Sequence, residues 1–245
     1  FAASGAAESA PNRWLPMRWI DDWHWEVVID PSREAGLPDH YAYQLREEGG
    51  VVLDEWGEPR RLPPAPEGVT LEGQFVRLER MDPDTHAADL HRAYTGHDRL
   101  WDYMPYGPFS SSAAYHRWAK GSAQGQDPAF WAIRQIGAAH PAGVASFLRI
   151  TPDHGVIEVG HICLSPQLQR SRAATEAMFL MMDWAFANGY RRYEWKCNAQ
   201  NMPSRRAAQR LGFSFEGVFR QHMIIKGRNR DSAWFAIIDS EWPAL

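Results

Sequence analysis

The stretch that decides the fold is Cys163-Leu164-Ser165-Pro166-Gln167-Leu168-Gln169-Arg170-Ser171-Arg172-Ala173-Ala174-Thr175-Glu176-Ala177. A strand-like run ends here, a short polar turn follows, and an apolar helical run begins among small residues. Free backbone N–H groups at a helix start, together with the helix dipole, form an anion-binding site. The small side chains of the turn let a phosphate approach that backbone, and its two arginines add full charges. The stretch therefore predicts a phosphate-binding junction.

The charge of the chain is unevenly distributed around this junction. From Gln167 to Arg230 there are twelve Lys and Arg residues against four Asp and Glu, so the remainder must carry the acidic excess that gives a net charge of −4. A basic third attracts a polyanion. Because the whole chain is acidic and shows no nucleic-acid motif with its expected spacing, a small phosphorylated ligand fits better than DNA or RNA.

The order of elements outside the junction predicts a mixed α/β fold. Strand-like runs are predicted at Phe75–Leu78, Phe130–Arg134, Ala142–Ile150, Val156–Leu164, Tyr190–Cys197, Phe213–Phe219 and Ala233–Ile238, and helices at Asp82–Tyr94, Ala113–Gly121, Ala173–Asn188 and Pro203–Leu211. The proline-rich stretch Leu62–Pro66 reads as an extended connector. We therefore predict a Trp- and Pro-rich extension over residues 1–68 and one folded domain over residues 69–245.

Composition narrows the class of protein further. The sequence contains no run of about 18 apolar residues, so no membrane span is predicted. Two cysteines cannot form a disulfide framework, which favours a reducing, cytoplasmic setting. No His, Cys or Asp spacing indicates a metal site. Five of the 12 tryptophans lie before residue 60, and we expect that segment to bury them against the rest of the chain or a second subunit.

Several spaced motifs resemble those of the GNAT-family N-acetyltransferases. Gln169-Arg170-Ser171-Arg172-Ala173-Ala174 is similar to the family's pyrophosphate loop, with Arg172 at a position where the family usually has Gly. Asn201-Met202-Pro203-Ser204 and Arg210-Leu211-Gly212-Phe213 resemble its next helix. Phe215-Glu216-Gly217 and Lys226–Asp231 resemble the branch that acetylates ribosomal-protein N-termini, the RimJ/RimL type.

The resemblance implies a mostly antiparallel sheet, flanked by helices, in which two parallel strands splay apart around acetyl-coenzyme A. Those strands are Val156–Leu164 and Tyr190–Cys197, and exposed backbone groups of Ile162 and Leu164 pair with the pantetheine arm. The residues that the resemblance assigns to the coenzyme are Ile162, Cys163, Leu164, Gln169, Arg170, Ser171, Arg172, Ala173, Ala174, Thr175, Asn201, Ser204 and Arg210. No metal is implied.

Acetyl transfer to an amine needs a base for the amine proton and an acid for the leaving thiolate. Glu158 is the first candidate for the base, since it lies eleven residues before Gln169, a spacing similar to that of several family members. Many relatives use a Tyr as the acid, at the position of Ala208 here, and Ser204 is the expected substitute. A first-turn cap is the alternative role for Ser204.

The acceptor is expected to contact Trp101, Tyr103, Trp131, His161 and His222, with core packing as the alternative for Trp131. The leading hypothesis is transfer of an acetyl group to a primary amine, on a peptide N-terminus or a small molecule, by direct attack in a ternary complex. The absent Tyr and the Arg at the Gly position keep a non-catalytic acyl-CoA sensor as an alternative. No nucleic-acid or membrane partner is predicted, and both a monomer and a homodimer stay open.

Overall fold

The structure is a computed structural model that describes residues 63–66 and 68–244 in full and, before them, the backbone of short strands. The chain divides into two compact units, Phe1–Leu62 and Pro63–Leu245. In the first unit, short strands pair antiparallel: Ala2–Ala3 with Arg13–Trp14, Arg18–Asp21 with His24–Glu26, His40–Tyr41 with Arg60–Arg61, and Gln44–Arg46 with Val52–Asp54. The expectation about the tryptophans of this segment concerns side chains outside the described residues.

The second unit contains an eight-stranded sheet and the helices that cover it. Its strands are β1 (Leu71–Glu72), β2 (Val76–Arg80), β3 (Ala129–Gln135), β4 (Gly143–Thr151), β5 (Val156–Leu164), β6 (Arg192–Asn198), β7 (Ser214–Ile225) and β8 (Arg228–Ile238). Its helices are α1 (Pro83–Tyr94), α2 (Ser112–Ala123), α3 (Arg172–Ala187) and α4 (Met202–Arg210). Short 3₁₀ turns span Asp98–Trp101, Pro152–His154 and Trp242–Ala244.

The spatial order of the strands is β7-β8-β6-β5-β4-β3-β2-β1. β5 and β6 run parallel, and the remaining neighbours run antiparallel. This is the predicted mixed, mostly antiparallel fold with one parallel pair. The last two strands form a longer hairpin than the sequence predicted. Beyond a register shift after Phe219, Met223–Ile225 also pair with Arg228–Arg230, although this tip lacks a regular apolar alternation.

Both faces of the sheet are covered, and β3 shows why its sequence is apolar throughout. Ala129, Trp131 and Ile133 face a core that contains the methionines of α3, whereas Phe130 and Ala132 face a second core shared with α1 and α2. Successive side chains of a strand point to opposite faces, so a strand buried on both sides loses the polar half of its alternation.

The helix starts follow the capping rules that the sequence displayed. Asp82 caps α1 by accepting from the Asp84 amide, and Ser171 caps α3 by accepting from the Ala174 amide. Asn201 caps α4 by accepting from the Ser204 amide at 3.2 Å. The first-turn cap of α4 is therefore Asn201 rather than Ser204, which leaves the Ser204 hydroxyl for other contacts.

Candidate active site

The parallel strands β5 and β6 pair only over their first halves. Val156 to Val159 are in register with Arg192 to Trp195, and the pairing stops there. Beyond this point β5 continues to pair with β4, up to Leu164, and β6 continues to pair with β8, up to Asn198. The register of β4 and β5 shifts at this point, and His161 takes a φ of 51°. An extra residue in one strand bends it and increases its twist, so this bulge steers β5 away from β6 and opens a gap in the sheet.

The loop after β5, residues 165–171 (the phosphate loop), is held open by local hydrogen bonds. The amides of Leu168 and Gln169 both donate to the Ser165 carbonyl, and the Gln169 side-chain amide donates to the Leu164 carbonyl at 2.9 Å. Arg170 has a φ of 58°, the left-handed value that lets the chain turn into the start of α3. The Ser171 hydroxyl donates to the Leu168 carbonyl at 2.6 Å and accepts from the Ala174 amide at 3.0 Å.

The first turn of α3 thus points free amides and two arginines toward one hollow. The hollow is lined by Phe75, Arg170, Ser171, Arg172, Thr175, Glu176 and Phe179. Arg210 reaches it from α4, because its Nη1 lies 3.4 Å from the Thr175 hydroxyl. Ala173 and Ala174 turn into the core instead, where their size allows α3 to pack closely on the sheet. Helix-start amides with flanking guanidinium groups suit a phosphorylated ligand.

A cavity of about 210 Å³ opens where β5 and β6 part. It is lined by residues of β4 to β8, of the start of α4 and of the loop that follows α1: Tyr103, Met104, Pro105, Leu148, Arg149, Glu158, Val159, Gly160, His161, Ile162, Trp195, Lys196, Cys197, Asn198, Asn201, Ser204, His222, Met223, Ile225, Arg230 and Ser232. The structure therefore brings together Glu158, Ser204 and Asn201 with the predicted acceptor residues Tyr103, His161 and His222.

Glu158 lies at the centre of a buried ion-pair network. Its Oε2 accepts from Arg149 Nη1 at 2.6 Å and lies 2.9 Å from Lys196 Nζ. Lys196 Nζ also pairs with Glu194 Oε2 at 2.6 Å. The second oxygen, Oε1, is 3.6 Å from where a Cβ on Gly160 would stand, so it lies beside the residue at which β5 leaves β6. One oxygen is thus fixed by two cations and the other faces the gap.

Ser204 lines the same cavity from the first turn of α4. Its Oγ accepts from Trp195 Nε1 at 3.0 Å. The indole can only donate, so this contact occupies a lone pair of the hydroxyl and leaves its proton for an acceptor. The adjacent Cys197 thiol is buried, and burial raises its pKa.

His161 is neutral at physiological pH in this environment. Burial lowers the pKa of His161 to about 4, and the charges of Arg149 and Arg230 contribute. Its Nδ1 lies 3.0 Å from the Tyr106 hydroxyl, and the two rings stack with an interplanar angle of 16°. Because burial also raises the pKa of Tyr106 well above its usual range, the phenol stays protonated. Phenol donation to Nδ1 leaves the Nε2 proton as a hydrogen-bond donor.

Trp131, Trp101 and Cys163 were predicted to contact a ligand, but they are buried in the hydrophobic cores. Trp131 is fully buried in the core, where β3 directs it against Phe147, and its Nε1 donates to the Val69 carbonyl at 2.8 Å. Trp101 is 3% exposed and packs edge-on against Tyr94 and Phe109 beneath the aromatic loop. Cys163 points to the same core, and burial raises the pKa of its thiol to about 12. Bulky rings in a loop can close a core as well as line a pocket, and sequence does not separate the two.

The sequence did not point to Arg149, Lys196 or Arg230, which also line the cavity. Strand alternation places Lys196 on the same face as Glu194, which was the available signal for one of them. Within the described residues, no group of three His, Cys, Asp or Glu side chains could hold a metal ion. No helix in that part of the chain is long and apolar enough to span a membrane.

Comparisons with known proteins agree with this geometry. Residues 76–214 match the family described as the acetyltransferase (GNAT) domain. A GCN5-related N-acetyltransferase from Brucella melitensis is 44% identical, with a TM-score of 0.73 over 74% of this chain and 84% of its own. A probable GNAT acetyltransferase from Chromobacterium violaceum ATCC 12472 is 38% identical, with a TM-score of 0.72 over 75% and 92%. No match was found among the curated proteins.

The chain therefore belongs to the GNAT acetyltransferase family and is an acyltransferase. The general reaction of this family is acetyl transfer from acetyl-CoA. RimL, the ribosomal L7/L12 alpha-N-protein acetyltransferase solved with coenzyme A, shares the fold at 22% identity, with a TM-score of 0.60 over 70% of this chain and 99% of its own. At that distance the likeness extends to the fold alone, so the ribosomal-protein branch stays a prediction.

Proposed function

We propose that this protein transfers an acetyl group from acetyl-CoA to a primary amine by direct attack in a ternary complex. The observation that carries the proposal is the position of Glu158 and Ser204, a carboxylate and a hydroxyl that both line the cavity where β5 and β6 part. A base and an acid on opposite sides of a reacting centre are the groups that amine acetylation requires.

Acetyl-CoA supplies the activated thioester, and the residues present fit its parts. The unpaired strand edges after Val159 and Trp195 offer backbone groups, of Ile162 and Leu164 among others, to an extended arm. Asn201 lines the same cavity, with its Oδ1 engaged in the helix cap and its Nδ2 available to donate. The phosphate loop with Arg170, Arg172 and Arg210 provides amides and positive charge for phosphates.

Glu158 is the proposed base because Oε1 faces the gap while Oε2 is held in place. The two cations fix the rotamer of the carboxylate, so Oε1 meets an incoming amine with little loss of side-chain entropy. His161 is the weaker candidate for the base, since its pKa of about 4 gives it little affinity for a proton. Its Nε2–H is better suited to donate to a carbonyl oxygen at which negative charge develops.

Ser204 is the proposed acid for the departing thiolate. The Trp195 indole donates to the hydroxyl oxygen, so the hydroxyl proton stays available for an acceptor such as a departing thiolate. The position four residues later, Ala208, is fully buried and has no proton to give. A hydroxyl on the first turn of α4 therefore takes the place of the Tyr that many family members carry at Ala208.

A covalent route through a cysteine is disfavoured by the state of both thiols. Thiolate rather than thiol is the nucleophile, and burial raises the pKa of Cys163 to about 12 and that of Cys197 above its usual value. The raised thiol pKa values therefore support direct attack of the amine on the thioester. Action in a reducing, cytoplasmic setting stays a prediction from the cysteine content.

The test is a steady-state analysis of thiol release from acetyl-CoA across a panel of primary amines and short peptides. Direct attack predicts double-reciprocal plots that intersect when both substrates are varied, and unchanged kinetics in Cys197→Ala. Parallel lines would point to an acyl-enzyme. Tight binding of acetyl-CoA without turnover of any amine would favour the sensor alternative instead.

A further inference from the structure

The cavity where β5 and β6 part contains more positive than negative charge. Arg149, Lys196 and Arg230 line it, with Glu158 as the acidic member. Lys196 is neutralised by Glu158 and Glu194, and Arg149 uses one guanidinium nitrogen on Glu158. Among the described residues, no carboxylate lies within ion-pair distance of Arg230. The unbalanced charge of the cavity is therefore concentrated at this guanidinium group.

Arg230 is oriented by hydrogen bonds rather than by an acid. Its Nε donates to the Ser232 hydroxyl oxygen at 3.2 Å, and the same oxygen lies 2.9 Å from His222 Nδ1. Ser232 is fully buried and is fixed by its place in β8. Because Nε is engaged, the two Nη groups form the free edge of the guanidinium plane, a fork that matches a carboxylate or phosphate in two-point contact.

The surroundings of Arg230 disfavour a charged guanidinium group that has no bound anion. Burial lowers the pKa of Arg230, Cys197 and the charge of Glu158 act against this shift, and the charge of Arg149 adds to it. Both arginines also contribute to the lowered pKa of His161. The cavity therefore has a positive potential, which opposes entry of an ammonium ion unless the same molecule brings an anion.

The phosphates of acetyl-CoA have a different set of partners. Arg170 and Arg172 line the hollow at the start of α3. Arg230 lines the cavity that contains Glu158, the proposed base, and does not line that hollow. The coenzyme phosphates therefore do not account for the position of Arg230.

We propose that the acceptor is a small primary amine that carries a carboxylate or phosphate group, and that Arg230 binds this anion with help from the free donors of Arg149. The proposal rests on the proposed function, since it places an anion beside the amine that Glu158 deprotonates. A peptide N-terminus presents an amide where an amino acid presents its α-carboxylate, so it lacks the group that this site recognises.

The experiment compares matched amines with the full-length protein. The common α-amino acids are paired with their carboxamides, and O-phosphoethanolamine with ethanolamine; the two pairings distinguish carboxylate from phosphate. Two readouts are taken: thiol release from acetyl-CoA, and calorimetric binding of each amine in the presence of coenzyme A, which needs no turnover. Charge-assisted hydrogen bonds to one anion predict a preference of about 10- to 100-fold for at least one anionic member.

Arg230→Gln should abolish that preference by raising the KM and Kd of the anionic amine, while the KM of acetyl-CoA stays unchanged. Arg228→Gln, an exposed guanidinium on the same strand that does not line the cavity, is the matched control and should retain the preference. A circular-dichroism melt of both variants confirms that they fold.

Turnover of neutral amines or peptides at rates equal to those of anionic amines would overturn this inference and leave the proposed function intact. Calorimetric binding of an anionic amine that depends on Arg230 would support the inference even if no amine were acetylated, an outcome that would count against the proposed function alone. Equal binding of both members in every pair would overturn the inference.

Discussion

The two ends of the gap are built in different ways. The phosphate loop uses consecutive residues: local hydrogen bonds of Ser165, Gln169 and Ser171 shape it, and α3 begins at its end. The cavity uses side chains from five strands, one helix and one loop, which meet only after folding. The proposed binding site for the coenzyme phosphates is thus formed by one short segment, whereas the proposed catalytic site depends on how the whole sheet is assembled.

Replacing Glu158 is the strongest test of this difference, because it removes the proposed base from the cavity, whose side chains come from several elements. We call this cavity the assembled end of the gap. Glu158→Gln should lower kcat by about 100-fold or more, the usual contribution of a positioned base, and leave the KM of acetyl-CoA nearly unchanged. Steady-state kinetics with both substrates varied provide the measurement.

Glu194→Gln is the matched control for this variant. Glu194 is also buried, also pairs with Lys196, and sits opposite Glu158 in the β5–β6 register, but it does not line the cavity. If both variants lose the same activity, the role of Glu158 is to hold the ion-pair network together rather than to accept a proton.

Ser204→Ala should give the next largest effect at the assembled end. Loss of the proposed acid should lower kcat by about 10- to 100-fold, with a pH–rate profile altered on its alkaline side. Trp195→Phe, which deletes the indole donor and keeps the hydroxyl, should cost less than Ser204→Ala. The reverse order would mean that the indole, and not the hydroxyl, matters for catalysis.

The pH dependence of protein stability tests whether His161 is buried in the cavity. Its pKa is about 4 in the folded protein against 6.5 for an ordinary histidine. The unfolded chain therefore binds a proton in the window between these values, and the stability that His161 contributes is fully present above 6.5 and is lost as the pH falls toward 4. Between pH 7 and pH 5 this corresponds to about 1–2 kcal/mol of unfolding free energy.

Urea denaturation at the two pH values measures this difference. In His161→Gln the pH dependence should decrease by that amount. An unchanged slope would show that the imidazole is accessible to protons in the folded state.

The smallest effect is expected at the phosphate loop. Arg172→Gln should raise the KM of acetyl-CoA by about 3- to 10-fold, since one charged contact among several backbone contacts is lost, and kcat should stay the same. Arg172 lies 5.6 Å from the Phe75 ring centroid, so Phe75→Leu with Arg172 intact is the control for this stacking contact. A fall in the kcat of Arg172→Gln would show that the phosphate loop also affects catalysis in the cavity.

The contrast between the two ends also explains what the sequence could predict. The order of elements and the phosphate loop follow from local rules, such as the strand-to-helix turn and the cap at Ser171. Glu158 and Ser204 were predicted from their spacing within motifs that resemble those of the family, and both line the cavity. Arg149 and Arg230 were missed because they reach the cavity through a strand bulge and through a long hairpin whose polar tip lacks a regular pattern.

The aromatic residues show the opposite failure. Trp101 and Trp131 are residue types that often line binding pockets. Packing their large rings in a core removes more apolar surface from water than a position in a pocket wall does. Sequence alone does not say on which side of a strand the ligand lies. Tyr103, in the same loop as Trp101, does line the cavity, and its hydroxyl donates to the Gln200 carbonyl at 3.3 Å.

Because β5 and β6 part, this sheet has unpaired strand edges in its interior. Unpaired edges at the outside of a sheet can pair with strands of other molecules, which is a route to aggregation. The internal edges are flanked by β4 and β8, which remain paired with β5 and β6 on their outer sides, so a foreign strand with side chains on both faces meets protein on either side. Because backbone groups form these internal edges, we expect their pairing with an extended ligand to tolerate most side-chain substitutions along the gap.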